Sequence, residues 1–525
     1  MPAGVSGARV RSLPSGVVWL VGSWGARSLW LWAGLGFCAM SGSSEIETDY
    51  LVIGAGALGM GFVDGLIEFS DADVVMVDRR HRPGGHWLDS YPFVQLHQPS
   101  MNYGVNSTSL GQDRVDPAGR DAGFYERASG TEICGYYDEI MRYRLLGSGR
   151  VRFFPMCDYL GDRRFRSRLT GVETVVSVRR SVVDATYMAS RVPAADPPPF
   201  EVSDGATCVP VGALTSVTKA LAGYVIIGGG KTAMDAGCWL LDQGTPPHDI
   251  TWIRPRDSWI LNRAFFQPGE GVLPTFEGVV LQLEAVAECD SVEQVYERLE
   301  EHRVMMRIDQ SIQPSMLKGA TASLGELGEL RRIDNVVRLG HVERIQRDTI
   351  TLEQGSIPTS PDHLHIHCAS AGLSDNPPKS IFAEDNIFLQ PVTRVSLSLS
   401  AGLIGFVEAS GRSTAEKNCL CRPNAWVHTP FDWTRHLLTG MRTEMEWRDA
   451  PDVLAWVETS RLNLVKGLDQ HPGKAAVADL QRRFITALFP ALAKLDDFAS
   501  HATPAERARM FEPGKAELPP FDGQG

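Results

Sequence analysis

The tightest constraint in the sequence is one short run, Tyr50-Leu51-Val52-Ile53-Gly54-Ala55-Gly56-Ala57-Leu58-Gly59. Four apolar residues in succession suit a parallel strand buried on both faces. The glycines that follow have separate tasks. The first permits a tight turn, the second lets a pyrophosphate approach the backbone, and the third lets a helix pack closely on the strand. A helical stretch continues to about Phe69, and the unpaired amides at its start suit an anion. A second buried strand, Val74-Val75-Met76-Val77, ends in Asp78, 24 residues after Gly54. A carboxylate there can hydrogen-bond a ribose hydroxyl. This βαβ unit implies a parallel sheet with a right-handed crossover. Dinucleotide binding is expected at Gly54, Gly56, Ala57, Leu58, Gly59 and Asp78.

A second unit of the same kind begins at Tyr224. The strand Tyr224-Val225-Ile226-Ile227 runs into Gly228-Gly229-Gly230-Lys231-Thr232-Ala233, which reads as GxGxxA on Gly228, Gly230 and Ala233. Lys231 and Thr232 stand at the helix start, where a cation and a hydroxyl can face phosphate oxygens. The next strand, Ile250-Thr251-Trp252-Ile253, ends in Arg254 rather than an acid, with Arg256 close behind. A basic residue at this point accommodates the 2′-phosphate of NADP, whereas Asp or Glu favours NAD. The expected nucleotide is therefore NADPH.

Just past the second strand comes a double glycine, in Arg82-Pro83-Gly84-Gly85-His86-Trp87. The longer stretch from Gly84 through Leu88-Asp89-Ser90-Tyr91-Pro92 resembles the GGxW…YP segment of flavin-containing and Baeyer–Villiger monooxygenases. Leu364-His365-Ile366-His367-Cys368-Ala369-Ser370-Ala371-Gly372 is similar to the small-residue segment that joins the NADPH domain back to the FAD domain in those enzymes. The resemblance spans roughly residues 48–410 in order of motifs. It implies FAD at the first turn, with Gly84, Gly85, His86 and Trp87 against it. His97 falls where Baeyer–Villiger enzymes carry Asp, which implies a flavin contact. The family's FxGxxxHxxx(Y/F) fingerprint has no counterpart, since Val209 to Leu221 contains neither Phe nor His.

The resemblance and the two turns together imply an α/β fold with two Rossmann-like dinucleotide-binding domains, the NAD(P)H domain inserted into the FAD domain, plus a helical C-terminal region. The expected divisions are an N-terminal extension outside the fold (1–46), a first part of the FAD-binding domain (47–221), the NAD(P)H-binding domain (222–345), a return segment of the FAD domain (346–424) and the helical region (425–525). Within the first part, Glu173 to Val178 and Val182 to Met188 read as strands. Ser291 with Gln294 reads as a helix start. Val477, Leu480, Phe484 and Leu488 mark an amphipathic helix face near the end.

The rest of the composition excludes more than it assigns. A net charge of -12 argues against nucleic acid as a partner, because neutralising phosphates takes clustered Lys and Arg. Nine cysteines with no CxxC pair make no redox dithiol or dense disulfide framework. His363, His365 and His367 alternate along one strand face, but no acid or cysteine at ligand spacing joins them, and no metal is expected. The first 40 residues hold an apolar, Trp-rich run interrupted by Arg27. That charge disfavours stable membrane insertion; a cytoplasmic enzyme is expected, with a targeting segment or an anchor in the apolar extension as the alternatives.

These features, with the resemblance, imply an FAD-dependent, NADPH-using oxidoreductase. The expected reaction is insertion of one oxygen from O2 into a small-molecule substrate by way of a flavin hydroperoxide. A reductase or dehydrogenase that does not oxygenate, and a catalytically inactive nucleotide-binding protein, are the alternatives. The cofactors do the difficult chemistry, and the sequence singles out no catalytic side chain.

Overall fold

The computed structural model describes residues 44–507 apart from 195–196, 219–220, 371, 375 and 395. The apolar N-terminal run lies outside the described residues. Residues 44–46 of the expected extension open the first strand, Ser44–Ile53.

That strand is the middle of the parallel part of a mixed sheet, which Arg164–Ser167 and Cys157–Gly161 extend antiparallel beyond Glu173–Asp184. Val74–Val77 pairs on one side of Ser44–Ile53, with Val151–Phe154 beyond, and Glu173–Asp184 pairs on the other. The two expected strands at 173–178 and 182–188 are thus one continuous strand that stops at Asp184. Arg179 and Arg180, which interrupt the apolar pattern, are exposed mid-strand; Arg179 pairs with Asp49 at 2.9 Å. The chain then leaves this sheet and comes back much later. Asn386–Phe388 lies parallel to the end of the long strand, Asn386 opposite Val182 and Phe388 opposite Asp184.

Most of the chain between these strands belongs to a second build, although Met188, Ile381 and Phe382 pack in the first unit's core. The core of the second build is a parallel sheet in the order Val336–Val337, Ile250–Ile253, Gly223–Ile227, His363–His367, Cys208–Pro210. The architecture is accordingly α/β, with one doubly wound unit inserted into another. A hairpin sheet at residues 342–358 covers one face of the second sheet through Val342, Ile345, Ile350 and Leu352.

Two helices hold the first unit together across the insertion. Ala57–Glu68, which follows the first glycine turn, packs on Leu397–Ala409, which follows the return strand. Their contact is backbone on backbone. A Cβ at Gly65 would lie 2.5 Å from the Gly402 carbonyl oxygen. Phe62, Leu66, Leu403 and Ile404 close the core around this crossing.

The C-terminal region is helical, in Pro430–Glu446, Pro451–Thr459 and Lys474–Ser500. The last helix buries Val477, Leu480 and Leu488, with Phe484 partly covered. It packs on Val272–Glu288, where Arg483 pairs with Glu284 at 2.6 Å. No described helix is long and apolar enough to cross a membrane.

Candidate functional site

The first glycine turn sits at the C-terminal end of the central strand, where open α/β sheets bind ligands. Gly54 adopts φ +103°, a left-handed backbone that favours glycine. Gly59 is fixed by contact rather than by torsion, since a Cβ there would lie 2.1 Å from the Gly54 oxygen. Ala57 and Leu58 form the first turn of the helix, and no side chain caps it at Gly56. Asp78 is 6% exposed, and both its oxygens accept backbone amides: Oδ2 from Ala55 at 2.7 Å, Oδ1 from Arg80 at 2.8 Å.

The double glycine folds back on this turn. The Gly84 amide donates to the Ala55 carbonyl at 3.0 Å, and a Cβ at Gly85 would stand 3.0 Å from the Gly56 Cα. Two bare stretches of backbone therefore face one another, and a cofactor lying over them meets amides rather than side chains. The residues present fit a dinucleotide pyrophosphate. His86 and Trp87 follow in a short helical turn, rings 4.8 Å apart. Burial, reinforced by Arg80, brings the His86 pKa down to about 4. The Trp87 indole donates to the Tyr103 hydroxyl at 2.7 Å.

The second turn repeats the pattern. Gly228 has φ +136° and lies against the backbone of Cys368 and Ala369, its virtual Cβ 3.1 Å from the Cys368 carbonyl carbon. The small-residue segment after His367 thus runs directly over the turn. The Trp252 indole donates to the Gly228 carbonyl at 2.7 Å. Gly230 faces open space, with nothing within 4 Å of a Cβ there, while Ala233 is fully buried. The open space at this turn lies at Gly230.

Arg254 is 2% exposed. Its Nη2 lies 3.0 Å from Asp257, and its guanidinium stacks 4.7 Å from the Trp252 ring centre. Its Nε and Nη1 have no hydrogen-bond partner among the described residues. Buried donors left unpaired are costly. Arg256 is exposed beside it. Sequence reasoning missed Arg338, which follows the neighbouring strand Val336–Val337 and pairs with the same Asp257 at 2.9 Å.

Lys231 is engaged inside the protein. It pairs with Asp235 and lies 3.6 Å from Glu326. Glu326 also takes Arg263 at 2.7 Å, and Arg263 and Arg127 each reach Asp121 at 2.5 Å. Three cations thus face three carboxylates in a cluster that water barely reaches. Burial pushes the Glu326 carboxyl up, but Lys231, Arg263 and Arg127 outweigh it and hold the group well below the usual range. Sequence reasoning missed Glu326; the local signal that could have found it is the capping box Ser323-Leu324-Gly325-Glu326, which it forms, but nothing local reports its charge partners. His97 joins this cluster at the junction of the two units. Its carbonyl accepts from Arg263 at 3.1 Å, and burial, followed by Lys231, lowers its ring to about 4.

The three alternating histidines each make contacts within the protein, His363 Nδ1 lying 3.4 Å from the Thr359 hydroxyl. His365 bonds the Thr359 hydroxyl at 2.8 Å and the Thr207 carbonyl at 2.9 Å. The His367 ring meets Phe200 edge-on.

No family model matches the chain. It is 43% identical over 468 residues to the uncharacterized protein Rv2000 of Mycobacterium tuberculosis, covering 88% of this chain and 87% of that one. The uncharacterized protein Mb2023 of Mycobacterium bovis matches to the same extent. Among solved structures, an oxidized steroid monooxygenase bound to NADP is 12% identical, with 77% of this chain and 98% of that chain covered and a TM-score of 0.45. Cyclohexanone monooxygenase from Rhodococcus sp. Phi1 bound to NADP+ is 13% identical, covering 86% and 98%, at 0.43. The bacillithiol disulfide reductase Bdr of Bacillus cereus is 13% identical, covering 77% and 99%, at 0.37. At these scores no activity is carried over from the solved structures.

Proposed function

The chain belongs to one family with these mycobacterial proteins, and we propose that it is an FAD-dependent, NADPH-using oxidoreductase. The observation that carries this reading is the pairing of bare backbones at Gly56 and Gly85, close to a buried acid at the end of the neighbouring strand. A second glycine turn with open space at Gly230 supports a second nucleotide.

In this reading, the amides at the start of Ala57–Glu68 hold the FAD pyrophosphate, and Asp78 keeps its backbone amides and accepts a ribose hydroxyl on a remaining lone pair. His86 and Trp87 wall the cofactor, the indole fixed by Tyr103. At the second turn, the Gly230 backbone and Thr232 receive the NADPH pyrophosphate. Arg254, with Arg256 and Arg338 around it, takes the 2′-phosphate. Bound FAD would supply an acceptor for the hydride of NADPH and, once reduced, a site for reaction with O2. No titratable side chain is needed for that chemistry, so the residues named here bind, orient and exclude water.

The finer reading is oxygenation of a small molecule, which the GGxW…YP resemblance supports. Non-oxygenating reduction is favoured by one departure, the lack of Phe and His between Val209 and Leu221. Oxygen uptake by the FAD-loaded protein separates them. With NADPH and a panel of ketones, amines and sulfides, a monooxygenase consumes O2 one for one with NADPH and adds one oxygen atom to a substrate. Full recovery of the consumed O2 as hydrogen peroxide, with every panel member unchanged, supports the reductase.

A further inference from the structure

Tyr91 and Asp235 meet across the junction between the two glycine turns. Tyr91 lies in the loop that follows Gly84-Gly85, and Asp235 in the second turn of the helix Lys231–Asp242. The Tyr91 hydroxyl donates to Asp235 Oδ2 at 2.6 Å. Beside it, Phe93 stacks on Trp239 of the same helix, 5.3 Å between ring centres and 21° between planes. Burial, then the charge of Asp235, hold the Tyr91 hydroxyl well above its ordinary range, so it stays a donor. The far end of the loop is held as well, by the bond from Arg263 to the His97 carbonyl.

The helix side of this contact is poised to respond to a phosphate. Asp235 divides its charge between Tyr91 and Lys231, and Lys231 stands at the first helical position after Gly230. An anion arriving at that N-terminus competes for the Lys231 ammonium. In a poorly hydrated site such competition is strong. Whatever Asp235 loses from Lys231 it recovers at the Tyr91 hydroxyl, because a charge-assisted bond strengthens as its acceptor is freed.

We propose that Tyr91 is a positioning residue coupling the two nucleotide sites: phosphate at the second turn draws on Lys231, Asp235 tightens on Tyr91, and the loop 84–97 is held more firmly against the first turn. The proposal rests on the two-nucleotide reading above. Linkage makes it reciprocal, so FAD at the first turn raises affinity at the second by the same factor.

Hydrogen–deuterium exchange on the full-length, FAD-loaded protein, with and without NADP+, tests it in the wild type and in Tyr91→Phe. In the wild type, NADP+ slows amide exchange in residues 228–240 and, by about tenfold, in residues 84–97. Tyr91→Phe keeps the first effect and loses the second. Equal slowing of 84–97 in the variant overturns the coupling. Slowing confined to 228–240 in the wild type also overturns it but leaves both nucleotide sites standing. Slowing at neither segment overturns coupling and two-site reading together. The wild-type measurement decides between these outcomes even if the variant does not fold.

Discussion

Asp78 Oδ2 accepts the Ala55 amide at 2.7 Å, which ties the first glycine turn to the end of the neighbouring strand. The other oxygen holds the Arg80 amide, so the carboxylate is a clamp before it is a ligand. Removing it leaves the buried Ala55 amide and the part-buried Arg80 amide without this acceptor. Asp78→Ala is expected to lose about 1–3 kcal/mol of stability and most of its bound FAD. Urea unfolding and flavin content measure the two losses, and a variant unchanged in both would show the clamp to be idle.

The glycines divide into those fixed by packing and those left open for a ligand. Gly59→Ala drives a methyl group into the Gly54 carbonyl, 2.1 Å away, and should cost roughly 1–3 kcal/mol by overpacking. Gly230→Ala meets nothing within 4 Å, so its melting temperature should stay near wild type while NADP+ binding weakens. Calorimetry on both variants checks the contrast. A stable Gly59→Ala, or a destabilised Gly230→Ala, contradicts it.

Arg254 brings two unsatisfied buried donors to the end of the Ile250–Ile253 strand. Arg254→Ala should raise the KM for NADPH by roughly 10–100-fold, the worth of one or two bonds to a charged group. The KM for NADH should move little. Arg338→Ala, which releases Asp257 to pair more fully with Arg254, is expected to produce a smaller shift in the same direction. Equal effects on both nucleotides would remove the 2′-phosphate assignment.

His436 sits with Nδ1 3.2 Å from the Ala425 carbonyl and Nε2 2.6 Å from the Arg394 carbonyl. A neutral ring donates to only one of these carbonyls; burial outweighs the pull of both toward the charged form and brings the pKa from 6.5 down to about 4. The folded state therefore binds the proton later than the unfolded chain. Its neutral form favours folding fully above pH 6.5, and that contribution is lost as pH falls toward 4. The loss is on the order of 3 kcal/mol at most. His436→Gln should flatten the pH dependence of urea unfolding across that interval. An unchanged slope would show that the ring titrates normally.

Both glycine turns, and the Arg254 that follows the second, were legible because each is a local device: strand, turn and helix lie within a few residues. The Tyr91–Asp235 bond joins residues 144 apart, and no local pattern reports such a pairing. Lys231 shows the same limit. Its place at a helix start was clear, but the carboxylate of Glu326 arrives from another helix. The return strand Asn386–Phe388 has three residues, too few for any periodicity. Arg179 and Arg180 split one strand into two in the linear pattern, since a stretch exposed to solvent tolerates charge that a buried strand does not.

In the proposed reading two nucleotides meet on this chain, FAD at Gly54 and NADPH at Gly228. Anaerobic titration of the FAD-reconstituted protein with NADPH puts that meeting to the test in one vessel. Stoichiometric FAD is expected, with bleaching of its visible absorbance on NADPH addition and weaker bleaching with NADH. A folded protein that takes up no FAD from excess cofactor, or holds FAD that NADPH never reduces, would contradict it.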